Sequence, residues 1–233
     1  MESSSMLLTV LCSVVALGLY SQYTEACSCM PLHPQMHFCQ ADFVMRAKVK
    51  GSEILYRKSI IMENGKNVTW RRAYQKVYHI RINRIFKQND KFKNATLHKN
   101  KIYTNPSDAM CGVHLENNTK YLLTGYMHDG RAHISVCGWV GEWTRIPQKQ
   151  RKGVSHLYKK NCQCKVETCI RRGDGVCPSD NSTCVWRWHD SHNSCYATSS
   201  VCEQRADGNC KWSSGKLLKE CKEKNRKRAR QEP

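Results

Sequence analysis

The chain has 233 residues, fifteen cysteines and a formal net charge of +19. This length permits one large domain or two small ones, and the cysteine density is typical of a disulfide framework in an oxidising compartment. A reduced cytosolic chain with as many thiols would instead bind zinc. The sequence contains no HExxH, no Gly-x-Ser-x-Gly and no phosphate-binding glycine loop, which argues against an enzyme.

The first predicted element is a secretory signal peptide. Met6–Tyr20 is apolar and uncharged, and the short polar stretch after it ends at Ala26. The apolar run is too short to span a membrane, and removing residues 1–26 discards Cys12 and leaves an even number of cysteines. The segment before the run lacks Lys and Arg, which is atypical of a signal. From the apolar run, Ala26 and the even cysteine count, we nevertheless expect a secreted protein, in the extracellular space or matrix, that begins at Cys27.

Five short runs after Cys39 are rich in β-branched or aromatic residues and predict strands. These runs are Phe43–Val49, Val77–Phe86, Lys101–Thr104, Tyr121–Met127 and His133–Val136. Polar turn segments separate them at 63–66, 88–90, 105–108 and 128–131, and Asp129-Gly130 is typical of a tight hairpin. Five strands of this kind predict a mainly β fold, a small barrel that closes on itself and so leaves no exposed edges.

The rest of the chain divides into a helical stretch, a cysteine-rich unit and a tail. Thr144–Lys160 has apolar spacings that predict a short helix after Pro147. Beyond Asn161, eight cysteines occur in about fifty residues with little apolar sequence, so crosslinks must supply what burial cannot. The predicted segments are a signal peptide at 1–26, a barrel domain at 27–162, a cysteine-rich subdomain at 163–221 and a disordered basic tail at 222–233.

The charge of the chain predicts polyanionic partners. Without residues 1–26 it keeps 38 basic and 17 acidic residues. Two basic runs stand out, Lys149–Lys152 with Lys159-Lys160, and Lys216–Arg230 near the end. The secretory start favours heparan sulfate or other matrix polyanions over nucleic acid. A solvated tail without a specific partner is the alternative.

Four Asn-x-Ser/Thr sequons lie in polar, turn-rich surroundings where a glycan would remain in solvent. The predicted glycosylation sites are Asn67, Asn94, Asn117 and Asn181. They agree with secretion without proving it.

A series of motifs runs from Cys27 to about Trp212: CSCMPLHPQMHFC, then DFVMRAKV, AMCGVHL, YLLTGY, TCVW and DGNCKW. Together these motifs resemble the tissue inhibitors of metalloproteinases. The resemblance implies a five-stranded OB-like, netrin-like barrel with short helices and a small disulfide-rich C-terminal subdomain. It also implies an inhibitor of zinc endopeptidases of the matrixin class that needs no cofactor of its own. We expect a monomer.

The resemblance also implies a disulfide pattern. The family pairing carries over as Cys27–Cys111, Cys29–Cys137, Cys39–Cys162, Cys164–Cys210, Cys169–Cys177 and Cys184–Cys202. Cys195 and Cys221 have no counterpart in that pattern, and the simplest inference is a seventh, lineage-specific bridge between them.

By the same resemblance, the inhibitory group is the amino terminus itself. The α-amino nitrogen and carbonyl oxygen of Cys27 would chelate the catalytic zinc of the target, while Ser28 points into the protease's specificity pocket. The residues expected to contact the protease are Ser28, Cys29, Met30, Pro31, Ala109, Met110, Cys111, Gly112 and Val113. The stretch from Ser52 to Arg72 and the basic end depart from the family members that the chain resembles.

Three other interpretations of the site residues remain. The cysteines at the terminus could be bridges only, with the terminus inert. The chain could be a netrin-like binding or growth-modulating module that is retained on matrix polyanions. Two histidine pairs, His33 with His37 and His189 with His192, have the residue types of a metal site, although such pairs in polar loops usually face solvent.

Overall fold

The computed structural model describes residues 27–63, 66–95, 100–169, 177, 180–187 and 193–231. The predicted signal peptide lies outside these residues, as do His189, His192 and the centre of the 63–66 turn.

Six strands form the main sheet, and five of them close into a barrel. The strands are β1 (Phe43–Glu63), β2 (Lys66–Gln88), β3 (Lys101–Thr104), β4 (Lys120–His128), β5 (Arg131–His133) and β6 (Val140–Glu142). They pair in the order β1-β2-β3-β5-β4, and β4 pairs again with β1 to close the ring. Only the β3–β5 pair is parallel within this ring, and β6 lies at the outer side of β4. The predicted five-stranded OB-like barrel is confirmed.

Alternation along the strands separates two apolar layers. In β1, Phe43, Met45, Ala47 and Val49 are buried in the barrel interior, where Tyr78, Ile102, Leu123 and other side chains complete the core. Val44 points the other way, into a second cluster with Phe38, Leu122 and Tyr158. Through this second layer, the helical segments around Phe38 and Tyr158 pack onto the outside of the barrel.

The Asp129-Gly130 turn joins β4 to β5 as the sequence predicts. Asp129 and Gly130 both have positive φ, 48° and 69°, the combination that a two-residue type I′ hairpin requires. His128 pairs with Arg131 across it. The predicted strand His133–Val136 is wrong beyond His133. There the chain leaves the sheet because the Val136 N–H bonds to the Cys111 carbonyl, at 3.1 Å, next to the bridge at Cys137.

Strands β1 and β2 are 21 and 23 residues long, much longer than the predicted runs. From Leu55 to Gln75 they pair only with each other among the described residues, as a two-stranded ribbon that extends from the barrel. Both faces of this ribbon are largely exposed, so its sequence lacks the apolar–polar alternation of a half-buried strand. That is why the sequence did not reveal the extension.

Short helices flank the barrel. They are α1 (Pro34–Gln40), α2 (Asp90–Asn94) and α3 (Gln148–Lys152), and α3 runs on into a π-helical turn at Gly153–Leu157. The helix expected after Pro147 is therefore confirmed. A side chain at Gly153 would overlap the buried ring of Tyr158, so the close approach requires glycine.

The C-terminal part is small and built around cysteines. It contains β7 (Lys165–Cys169), β8 (Thr183–Arg187), α4 (Asn193–Ser199), β9 (Cys202–Gln204), β10 (Cys210–Trp212) and α5 (Lys216–Ala229). Strands β7 and β8 pair in parallel, and β9 pairs with β10. Its core includes Cys164, Cys184, Cys202, Cys210 and Trp186. In the described part of the chain, no helix combines the length and apolar character needed to cross a bilayer.

The prediction of a disordered basic tail at 222–233 is wrong for residues 222–229, which are helical. Helix α5 is tied to α4 by the Cys195–Cys221 bridge, and its Leu218 is buried. The Lys222 ammonium donates to the Tyr196 hydroxyl at 2.7 Å and lies 4.3 Å from the centre of that ring. Basic residues in the last turn also suit the negative end of the helix dipole.

Replacing both cysteines of this bridge tests its contribution to stability. For Cys195→Ala with Cys221→Ala, we expect the free energy of unfolding to fall by about 3 to 4 kcal/mol, the chain-entropy value for a closed loop of 26 residues. Denaturant unfolding measures the loss, and amide hydrogen exchange should rise in α5 but not in the barrel. Unchanged protection of α5 would show that the other contacts of the helix suffice.

Candidate functional site

Two disulfides fix the residues at and after Cys27 against a neighbouring loop. Cys27 bonds to Cys111 and Cys29 bonds to Cys137, with Cα–Cα distances of 5.1 and 5.2 Å. All four sulfur atoms lie within 4.8 Å of one another, so the bridges are side by side. The three-residue segment from Cys27 to Cys29 is thus held at both ends.

The side chains between and after these bridges face outward. Cys27 is half-buried, whereas Ser28, Cys29 and Met30 are exposed, and Met30 keeps 64% of its accessible surface. The next residue, Pro31, is fixed by a hydrogen bond that the Thr168 hydroxyl donates to its carbonyl at 3.1 Å. We call residues 27–31 the amino-terminal strip.

A second strip, Ala109–Cys111, runs beside the first. It belongs to a 3₁₀ turn over Asp108–Met110, which ends where Cys111 adopts a left-handed conformation with φ of 60°. The Asn105 side-chain amide donates to the Met110 carbonyl and fixes the backbone from below. Ala109 and Met110 are exposed, and Met110 keeps 41% of its accessible surface. The two strips form one crosslinked edge of the barrel.

Gly112 and Val113 point inward. A Cβ on Gly112 would overlap the carbonyl groups of Asn105 and Ser107. Val113 is 7% exposed, and its carbonyl accepts a hydrogen bond from the Tyr78 hydroxyl at 2.9 Å. Of the expected protease contacts, these two residues anchor the second strip in the core instead of presenting side chains to solvent.

The segment after the amino-terminal strip joins it to the C-terminal part. His33 is fully buried, and its Nδ1 accepts the Gln35 N–H while its Nε2–H donates to the Tyr196 carbonyl, each at 3.2 Å. Only the neutral Nε2–H tautomer can make both bonds. Its ring also contacts Trp186 and Trp212, with centroids 5.6 and 5.0 Å away.

Gln35 makes three further hydrogen bonds across the same junction. Its amide nitrogen donates to the carbonyls of Asn161 and Cys202, and its amide oxygen accepts the Cys202 N–H, at 2.9 to 3.0 Å. His33-Pro34-Gln35 lies within the CSCMPLHPQMHFC motif, and the sequence gives no role for it. Its partners are more than 120 residues away, so only the folded chain reveals them.

Burial keeps both histidines near this junction neutral. It lowers the pKa of His33 to about 4, although the hydrogen bond to the Tyr196 carbonyl partly opposes that shift. Burial also lowers the pKa of His37 to about 4. Both ring nitrogens of His33 are already engaged, so this ring has no lone pair to offer a metal ion.

The structure also contains the other five pairings expected from the sequence. They are Cys39–Cys162, Cys164–Cys210, Cys169–Cys177, Cys184–Cys202 and Cys195–Cys221, with Cα–Cα distances of 5.4 to 5.9 Å. The four predicted glycosylation sites, Asn67, Asn94, Asn117 and Asn181, are all exposed.

An OB-like barrel with its cysteine-rich amino-terminal strip crosslinked to an adjacent loop defines a netrin-like protein with a disulfide-rich C-terminal part. Residues 25–212 match the family model described as tissue inhibitor of metalloproteinase, and the chain belongs to this family.

Three relatives show how much of the chain is shared. Metalloproteinase inhibitor 3 of Gallus gallus is 33% identical over 82% of this chain and 83% of its own length. Metalloproteinase inhibitor 2 of Cavia porcellus is 32% identical over 87% and 88%. Metalloproteinase inhibitor 4 of Mus musculus is 32% identical over 83% of each chain. All three are named as inhibitors, which confirms the prediction of an inhibitor rather than an enzyme.

Because His33 is buried in its neutral form, we expect the free energy of unfolding to decrease in acid. Between about pH 4 and its ordinary pKa of 6.5, the unfolded chain binds a proton at His33 that the folded chain does not. The free energy of unfolding should therefore rise with pH across this window, and His33 should account for up to about 3 kcal/mol.

Denaturant unfolding from about pH 4 to about pH 7 measures this slope. His33→Asn keeps an oxygen acceptor at the helix cap and removes the titration, so it should flatten the profile and leave the part due to His37. His156→Asn, the same substitution at an exposed position, is the matched control. An identical slope in His33→Asn would contradict the assignment.

Proposed function

We propose that the mature protein is secreted, begins at Cys27 and inhibits zinc endopeptidases of the matrixin class through its amino-terminal strip. The observation that carries the proposal is the amino-terminal strip, exposed at Ser28, Cys29 and Met30 and crosslinked beside a second strip that is exposed at Ala109 and Met110. Family membership and the inhibitor names of the relatives support the same activity.

The inhibitory chemistry follows from a free backbone terminus. The α-amino nitrogen and the carbonyl oxygen of Cys27 are close enough along the chain to bind one metal ion in a five-membered chelate ring. A catalytic zinc keeps one coordination position for water, and these donors would take it. The amine must lose its proton to donate, and because such groups titrate near about 7.7 to 8.0, metal binding drives the remaining deprotonation. The zinc belongs to the target, and the inhibitor is proposed to need no cofactor.

The disulfides contribute by ordering the strip before binding. An unconstrained terminus would lose conformational freedom in the complex, and that loss would weaken affinity. Here Cys27 and Cys29 are covalently fixed, and the Thr168 hydroxyl holds the Pro31 carbonyl. The conformational entropy of the strip is therefore lost when the protein folds, and little remains to be lost on binding.

The exposed side chains define the proposed contacts. Ser28 would enter the main specificity pocket, where its small hydroxyl suits broad selectivity, and Met30 and Pro31 would extend along the cleft. Ala109 and Met110 would contact the protease from the second strip. Gly112 and Val113 would support that strip through the backbone. We propose a monomer, because one copy of the chain supplies both strips.

Adding one alanine before Cys27 tests the chelate. The extension converts the amine into an amide, which is a poor metal donor, so inhibition of a matrixin should weaken on the order of a hundredfold or more. The control carries one extra alanine after Pro233 and should inhibit like the native protein. Circular dichroism verifies that both fold alike. Full potency in the amino-terminal extension would refute the chelate, and no inhibition by any form would favour a netrin-like binding or growth-modulating module.

A second proposed activity is retention on heparan sulfate or a similar matrix polyanion through α5. Within the described chain, Glu220 pairs with Lys216, and Glu223 pairs with Arg226 and Lys227. Lys219, Lys224 and Arg228 are exposed and have no ion pair there. Because α5 is helical, these cations are held along one rigid rod, where a linear polyanion can meet several of them together.

Heparin affinity chromatography tests this retention. The variant Lys219→Gln, Lys224→Gln, Arg228→Gln should elute at clearly lower salt than the native protein, because exposed charges act through screened attraction. Lys50→Gln, Lys91→Gln, Lys120→Gln removes the same charge from exposed sites of the barrel part and should shift elution less. Equal shifts in the two variants would indicate a net-charge effect without a site on α5.

A further inference from the structure

The methionines are unevenly distributed over the surface. Of the six from Cys27 onward, Met30, Met62 and Met110 are exposed, by 64%, 79% and 41%. Met36 and Met45 are buried, at 9% and 0%, and Met127 is half-buried. Two of the three exposed thioethers therefore lie on the crosslinked edge, one on each strip, and each is next to a bridged cysteine.

Exposed methionines are substrates for mild oxidants. A hydroperoxide transfers one oxygen atom to the thioether sulfur. The O–O bond breaks, the sulfur loses two electrons and becomes a sulfoxide, and hydrogen peroxide is reduced to water. The fourteen cysteines from Cys27 to Cys221 are all paired in disulfides, so no free thiolate competes for the oxidant.

We propose that Met30 and Met110 form an oxidation site through which peroxides switch off protease inhibition. The inference rests on the proposed function, in which both side chains are covered by the protease. A sulfoxide is strongly polar, and burying it without a hydrogen-bond partner is costly. The bridges and the Asn105 amide hold the strip backbones in place, so neither side chain can withdraw by a backbone shift.

Because Met36 and Met45 are buried and Met62 lies outside the two strips, we expect peroxide to weaken protease binding without lowering the stability of the fold. Met45 is enclosed in the barrel core, and the Met36 sulfur accepts the Val166 N–H at 3.3 Å in the core of the C-terminal part. Both are shielded from a mild reagent. Met62 is exposed on the β1–β2 ribbon and belongs to neither strip, so it serves as the comparison site.

Graded peroxide treatment of the folded inhibitor tests the proposal. The peroxide is destroyed with catalase before the protease is added, so that only the inhibitor is oxidised. Peptide mass spectrometry measures the sulfoxide fraction at each methionine, and inhibition of a matrixin is measured on the same samples. We expect potency to fall roughly ten- to a hundredfold as Met30 and Met110 are oxidised, the range expected for burying an unpaired polar group.

Variants assign the effect to the edge. Met30→Leu with Met110→Leu removes both thioethers and keeps apolar side chains of similar volume, and its potency should be unaffected by peroxide relative to its own untreated sample. Met62→Leu is the matched control and should lose potency as the native protein does.

Two outcomes would overturn the proposal. One is full potency of the native protein after complete oxidation of Met30 and Met110, and the other is an equal loss in the double leucine variant. The untreated native sample tests the proposed function independently. If it does not inhibit, the protease assignment fails before oxidation is considered.

Discussion

The adjacent bridges Cys27–Cys111 and Cys29–Cys137 are the constraint on which the proposed site depends. They connect residues 84 and 108 positions apart and place two exposed strips side by side. The barrel supplies the rigid base for this arrangement, since Val113 and Gly112 anchor the second strip to its core. The same residues in a segment without these bridges would not be held in this arrangement.

The junction at His33-Pro34-Gln35 shows how the two parts of the chain are coupled. Polar groups that are fully buried must find partners, and these two side chains find theirs in the C-terminal part, at Tyr196 and Cys202, and at Asn161 just before it. The same junction starts α1, because His33 caps it and Pro34 occupies its first position. The amino-terminal strip thus leads directly into the segment that joins barrel and cysteine-rich part.

Exposure on the edge has two consequences. Met30 and Met110, which the proposed function places in a protease cleft, are also open to oxidants, because both processes need an accessible surface. The helix α5 is likewise rigid through one bridge and open on its basic side. In both places a disulfide orders a segment that has too little apolar surface to order itself.

The sequence by itself determined four of the five barrel strands, β1 to β4, the Asp-Gly hairpin, the helix after Pro147 and, through its cysteine motifs, the family. These features depend on local periodicity, on turn residues and on spacings that can be read along the chain. Only the tertiary structure decided that Gly112 and Val113 face inward, that residues 222–229 form a helix and that His33 and Gln35 join two distant parts. Each of these depends on contacts between residues far apart in sequence, where burial and hydrogen-bond partners are set by the packed fold and leave no local pattern.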